Sequence, residues 1–282
     1  MDAVERTLAA TLRHGDRVAV EDPGYPPCDR RYAPGPRSRT RAGGPRGTVG
    51  GRARRPPWPA ARRAAIVAPR AQDPTGATAL SEDRADALRA VLARHADVVL
   101  VEDDHLGLLG HDVPTLAGAT RRWVLARSVS KALGPDLRVA LVAGDDDTVD
   151  AVATRLRAGP GWVSHVLQAT VADLLVAPDT APALARAWRA YGERREALLD
   201  ALAARGVAAE GPTGFNVWVP VADETSTCLA LADRGWGVGP GGPFRIATGP
   251  GVRITTARLH PSDAERLADD VAAVVEGTAR PR

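Results

Sequence analysis

Lysine is nearly missing from this sequence: of 37 Lys and Arg residues, Lys131 is the one lysine. Arginine replaces lysine as a charge but not as a reacting amine, because a guanidinium stays protonated at any working pH and is a poor nucleophile. The bland alternative is a surface lysine retained by chance. Cysteine is scarce as well. Cys28 and Cys228 lie far apart and in no CxxC pair, which argues against a disulfide framework and a thiolate zinc site. No apolar run approaches the roughly 20 residues that a membrane span needs. The acids of "MDAVERTLAA" stand where a signal peptide would be apolar. A cytoplasmic protein without membrane contact is expected.

Acidic residues are absent from one stretch, 30–63, which holds eleven arginines; without it the net charge of +3 becomes 3 − 11 = −8. The basic character therefore belongs to a segment and not to the fold. Crowded with Pro and Gly and lacking apolar periodicity, 28–63 reads as an irregular insert. A solvated linker and an arginine-rich nucleic-acid arm are two readings of it. The third, and preferred, is a shifted reading frame in GC-rich DNA, which translation in the other two frames tests.

What is present is an alternation. Short β-branched runs at 17–22, 64–69, 97–103, 122–128 and 138–145 each end in polar or Gly/Pro residues. Between them lies the helical pattern of 81–95, with Ser81 as N-cap and Glu82 and Asp83 in its first turn. This predicts an α/β fold, a mostly parallel sheet flanked by helices, with functional residues beyond the strands' carboxyl ends. Helices are expected at 147–158, 161–176 and about 180–204. Short strands follow at 215–221, 235–240 and 252–256, then a closing helix from Pro261. The expected division is a large domain over 1–157 and, over 158–282, a long helix with a smaller C-terminal α+β domain.

Three strand ends carry unusual chemistry: "AQDPTGA", "EDDHLG" and "SVSK". Taken singly each has an ordinary reading, as a turn, a solvated charge run and a helix cap. With His111 and Asp112 the second offers a metal cluster, but its spacing is not diagnostic and no metal is expected. "SVSK" also fits the Ser-x-x-Lys motif of serine β-lactamases, whose Lys-Thr-Gly partner needs a second lysine. A lysine-dependent aldolase explains the amine but not its Asp, Ser and Arg companions.

In "GDRVAVEDPGYP", "APRAQDPTGA", "VLVEDDHLG", "RSVSKALGPDLRVALVAGD", "GPGWVSHVLQ" and "GVRITTARL" the chain resembles the fold-type I pyridoxal-phosphate enzymes of aminotransferase class I/II. It looks most like the aminotransferase-like domain of MocR-type regulators, which follows a GntR-type helix-turn-helix. The resemblance implies a fold type I large domain lacking its first strand, with the phosphate loop and any DNA-reading domain upstream of this chain. It implies pyridoxal 5'-phosphate as cofactor, held by Lys131 as an internal aldimine, with Lys131 also shuttling the substrate proton. Ser128 and Ser130 would bind the phosphate with Arg138 as countercharge. Asp103 would hold the ring nitrogen protonated, Tyr25 would stack on the ring, and Arg253 would clamp a substrate carboxylate.

Two positions depart from the family's pattern. Asp73 replaces an asparagine that donates to the cofactor's phenolate oxygen, and an ionised carboxylate would repel that oxygen. His105 replaces a tyrosine, and its ring N–H retains the ability to donate. The expected function is amino transfer between an amino acid and a 2-oxo acid, in a homodimer implied by resemblance alone. The alternatives are a ligand-sensing domain of a transcriptional regulator with little turnover, touching nucleic acid only through an upstream domain, and a non-functional remnant.

Overall fold

The computed structural model describes residues 2–25, 62–76, 79–110 and 112–279. Cys28, His111 and most of the 28–63 segment lie outside them. Helix α1 (Asp2–Thr11) leads into strand β1 (Arg17–Ala19), and β2 (Arg62–Val67) is followed by α2 (Glu82–Leu92), β3 (Val99–Asp104), β4 (Arg122–Ser128) and β5 (Ala140–Gly144). These strands form one sheet in chain order, in which β1 to β4 run parallel and β5 antiparallel. The irregular insert ends earlier than its composition suggests. Arg62 already pairs with Arg17, so the ladder imposes strand geometry on residues whose side chains advertise none.

Both faces of the sheet are covered, as a parallel sheet of near-continuous apolar strands requires. Side chains alternate along each strand. Ala64, Val99, Val101, Val124 and Ala126 meet Val4 and Leu8 of α1 on one side. Ala19, Ala65 and Leu100 meet Ala85 and Leu92 of α2 on the other. Helix α2 begins where its cap predicts, with Ser81 Oγ accepting the Arg84 N–H at 3.3 Å.

Helices α3 (Asp146–Ala158), α4 (His165–Val176) and α5 (Thr180–Ala204) follow. Helix α4 buries Val171 with Val129 and Val139, so it packs beside the turn after β4 rather than with the C-terminal sheet. That sheet, ordered β6-β8-β7, is antiparallel and comprises β6 (Asn216–Pro220), β7 (Gly239–Pro240) and β8 (Gly251–Thr255), with α6 (Glu224–Ala232) and α7 (Ala264–Ala279). Val217, Val219, Val252 and Ile254 pack on Leu198 and Leu202 of α5, Leu231 of α6 and Leu267 and Val271 of α7. By alternation Asn216, Trp218 and Arg253 occupy the opposite face.

That face meets the loops after β1 and β2. The Asp22 carboxylate accepts the N–H groups of Ile246, Ala247 and Thr248 at 2.8, 2.9 and 3.1 Å, and the Gly24 N–H donates to Phe244 O at 2.7 Å. Gly76, the glycine of "DPTG", has a φ of +59° and accepts from Thr213 N at 2.9 Å; a Cβ there would stand 2.5 Å from Thr213 O, so only glycine fits. Among the described residues no helix is long and apolar enough to cross a membrane.

Candidate active site

The three strand ends picked out in the sequence converge. Strand alternation puts Asp103 on the α1 side with Val99 and Val101, while Glu102 and Asp104 turn to the α2 side. The three adjacent carboxylates therefore have three different fates. Glu102 is buried and accepts the Leu116 N–H at 2.8 Å; burial raises its pKa against the pull of its hydrogen bonds. Asp104, also buried, faces Arg70 and Arg127. Asp103 is half-buried and, among the described residues, has no hydrogen bond or ion pair. Its parallel-strand neighbour is Ala126, so Ser128 lies on the same side two residues further along β4.

Beyond β4 the chain turns through "SVSK". The Ser130 N–H donates to Ser128 Oγ at 3.3 Å, Ser130 Oγ donates to Leu137 O at 2.9 Å, and Arg138 Nη1 stands 3.4 Å from Ser130 Oγ. Both serines and the arginine thus gather at one strand end, and the arginine's contacts at 3.4 Å are long enough to be given up to a stronger acceptor. Lys131 lines a small cleft together with Asp73, His105, Leu106, Phe215 and Asn216. Its Nζ lies 5.5 Å from the Phe215 ring centre, and among the described residues it has no carboxylate partner. Lys131 is exposed, unlike the desolvated amine that the chemistry favours.

Asp73 and Arg253 reach the site but meet each other. Arg253 Nη1 lies 3.0 and 3.2 Å from the two Asp73 oxygens, and its guanidinium sits 4.7 Å over the Phe244 ring. Arg253 is thus already engaged where the resemblance has it open to a substrate, and Asp73 carries a countercharge that softens its expected repulsion of a cofactor oxygen. Tyr25 is 48% exposed and stands edge-on to Phe244, with centroids 6.3 Å apart.

Phe215, Asn216 and Glu21 belong to the site and carry no sequence signal. Asn216 Nδ2 is 3.4 Å from Asp73 Oδ1. The Glu21 carboxyl, which accepts the Ala68 N–H at 3.2 Å, is raised from 4.5 to about 8, first by burial and further by the charge of Asp103. The folded chain therefore holds a proton that the unfolded chain releases above about pH 4.5. The associated stability is complete below that pH and is lost as pH rises through 8. Relative to Glu21→Gln, the wild type should lose about 1–3 kcal/mol between pH 5 and 8.5, read from urea unfolding at the two pH values. Parallel curves would show that Glu21 does not titrate in this window.

Among the described residues no group of three or more His, Cys, Asp or Glu could hold a metal. No family model matches the chain. Among solved structures it is similar to a multiple substrate aminotransferase from Thermococcus profundus, with a TM-score of 0.81 at 19% identity over 99% of this chain and 73% of that one. The chain has the fold of the fold-type I aminotransferases. The same fold appears in LysN, an α-aminoadipate aminotransferase from Thermus thermophilus complexed with N-(5'-phosphopyridoxyl)-L-leucine, with a TM-score of 0.79 at 20% identity over 99% of this chain and 75% of that one. Its curated relatives are regulators. The domain is 40% identical to the vitamin B6 salvage pathway transcriptional repressor PtsJ of Salmonella typhimurium, over 96% of this chain and 64% of PtsJ. It is 32% identical to the HTH-type transcriptional regulator TauR of Rhodobacter capsulatus, over 80% of this chain and 48% of TauR. It thus spans about two thirds and half of these relatives' lengths.

Proposed function

We propose that the chain binds pyridoxal phosphate at Lys131 and carries the machinery of amino transfer between an amino acid and a 2-oxo acid. The observation that carries this is that the ends of β3 and β4 bring together an ε-amine and a carboxylate, both without an ion-pair partner among the described residues, and a serine–arginine cluster. The donor set fits the group. Arg138 with the hydroxyls of Ser128 and Ser130 would take the phosphate, Asp103 would face the ring nitrogen, and His105 would donate to a ring oxygen. Tyr25 would cover the ring. When bound, the cofactor supplies an aldehyde for the amine and a ring that accepts electrons.

The chain's own groups do the rest. Lys131 brings the one ε-amine and, once that amine is free again, holds and returns a proton at Nζ. Asp103, as an anion, keeps a proton on the ring nitrogen across from it. Arg253 is the cation placed for a carboxylate.

A second reading, a ligand sensor within a transcriptional regulator, is favoured by the names of the relatives and by the pairing of Arg253 with Asp73. Contact with DNA would then belong to a segment outside this chain. Steady-state amino transfer to a 2-oxo acid separates the two. An enzyme should form product in proportion to chain concentration and lose at least about 10³-fold in rate on Lys131→Ala, in line with removal of a group that acts both as nucleophile and as proton carrier. Cofactor bound without turnover would leave sensing.

A further inference from the structure

We propose that Asp73 is a specificity-determining residue: it competes with a ligand carboxylate for Arg253, so α-amino acids bind less tightly beside Lys131 than the arginine alone would allow, while amines without a carboxylate are unaffected. The proposal rests on the reading of Lys131 as the cofactor-binding amine only for the reacting end of the ligand.

Arg253 is closed off on several sides. Asp73 takes Nη1 with both oxygens, at 3.0 and 3.2 Å. The Phe244 ring covers the guanidinium at 4.7 Å. Gly239 borders the Nε–Nη2 edge, where a Cβ would stand 3.7 Å from Nε, and that Nε is buried without a hydrogen-bond partner among the described residues. The Nε–Nη2 edge that a carboxylate would use for a two-pronged contact is thus bordered by the Gly239 strand, and the remaining nitrogen is taken.

Displacing Asp73 is costly for a ligand. The Asp73 side chain is 12% exposed, and its other donor is the Asn216 amide at a long 3.4 Å. A carboxylate that captured Arg253 would leave Asp73 buried, charged and beside a second anion, which is the situation that makes loss of one partner of a buried pair expensive. A ligand amine lacking a carboxylate disturbs none of this. Since Lys131 and Asp73 line the same cleft, one small molecule would meet both.

The first test needs no cofactor. Propionate binding to the full 282-residue chain is followed by ligand-observed NMR for the wild type, Asp73→Asn, Asp73→Ser and Asp73→Asn/Arg253→Gln, each checked for folding by circular dichroism. Either single variant should bind propionate on the order of 100-fold more tightly than the wild type, and the double variant should lose that gain. Tight propionate binding by the wild type, or a gain that survives Arg253→Gln, overturns the proposal.

The second test uses the chain loaded with pyridoxal phosphate, titrated with L-alanine and with ethylamine and read by visible absorbance. Asp73→Asn should lower the Kd for L-alanine by about the same factor and leave ethylamine within about twofold; equal effects on both overturn the proposal. Failure of the wild type to take up the cofactor would sink the reading of Lys131 and leave the propionate result standing.

Discussion

Lys131→Arg should abolish covalent capture of pyridoxal phosphate while leaving the chain folded. After incubation with the aldehyde and reduction with borohydride, the wild type gains the mass of one pyridoxyl group on the peptide containing residue 131, and the variant gains none there. Arginine retains the charge at an exposed position, so stability should change by less than about 0.5 kcal/mol. It cannot form the carbon–nitrogen bond, because its guanidinium stays protonated and delocalised. Retention of the cofactor through gel filtration should weaken by about 100-fold or more, equivalent to about 2.7 kcal/mol. Peptide mapping distinguishes position 131 from the α-amino group, the other amine open to the reagent. An unchanged mass increment on the variant would remove the ground from both the enzymatic and the sensory readings.

Asp104→Ala should be the most destabilising single change near the site. Asp104 is 1% exposed and faces two guanidinium groups. Arg70 Nε approaches Oδ1 at 2.8 Å as a charge contact without hydrogen-bond alignment, and Arg70 Nη2 reaches Oδ2 at 3.3 Å. Arg127 Nη2 and Nε lie 2.9 and 3.0 Å from Oδ2. Without the carboxylate, buried Arg70 loses its contacts to both Asp104 oxygens, a loss worth about 3–5 kcal/mol in urea unfolding. Arg127 is more exposed, and Arg127→Ala should cost about 1 kcal/mol or less. Similar losses from the two variants would show that burial does not govern this cluster. Arg70 opens the loop that carries Asp73, and Asp104 stands between Asp103 and His105, so the triad also fixes the chain segments that build the cleft.

Local chemistry explains why some elements were readable in advance. Strand β4 begins and ends where the sequence predicts, since its apolar run is bracketed by polar residues at both ends. Helix α2 starts where Ser81 caps it. The turn carrying Lys131 follows from strand spacing, a short-range property, whereas Asp103 is singled out from "EDD" by the family resemblance. Strand β2 begins two residues before its apolar run, because Arg62 and Arg63 resemble the segment before them and only the pairing with β1 makes them a strand. The contact of Asp73 with Arg253 joins residues 180 apart in sequence, and that of Asp73 with Asn216 residues 143 apart. Such contacts depend on how the second sheet docks, which no local pattern encodes. The raised pKa of Glu21 has the same origin: it comes from burial among distant residues and has no signature in "VED".

The solitary ε-amine in the cleft also makes the protein its own reporter. An acylating dye applied at alkaline pH, where ε-amines lose their proton, has one side chain to find besides the α-amino group, and it lies 5.5 Å from the Phe215 ring centre. Fluorescence from that label would report ligand entry without any engineered residue. Conversely, routine amine crosslinking, biotinylation or surface immobilisation would modify Lys131 itself, so a preparation handled that way is no measure of the native cleft.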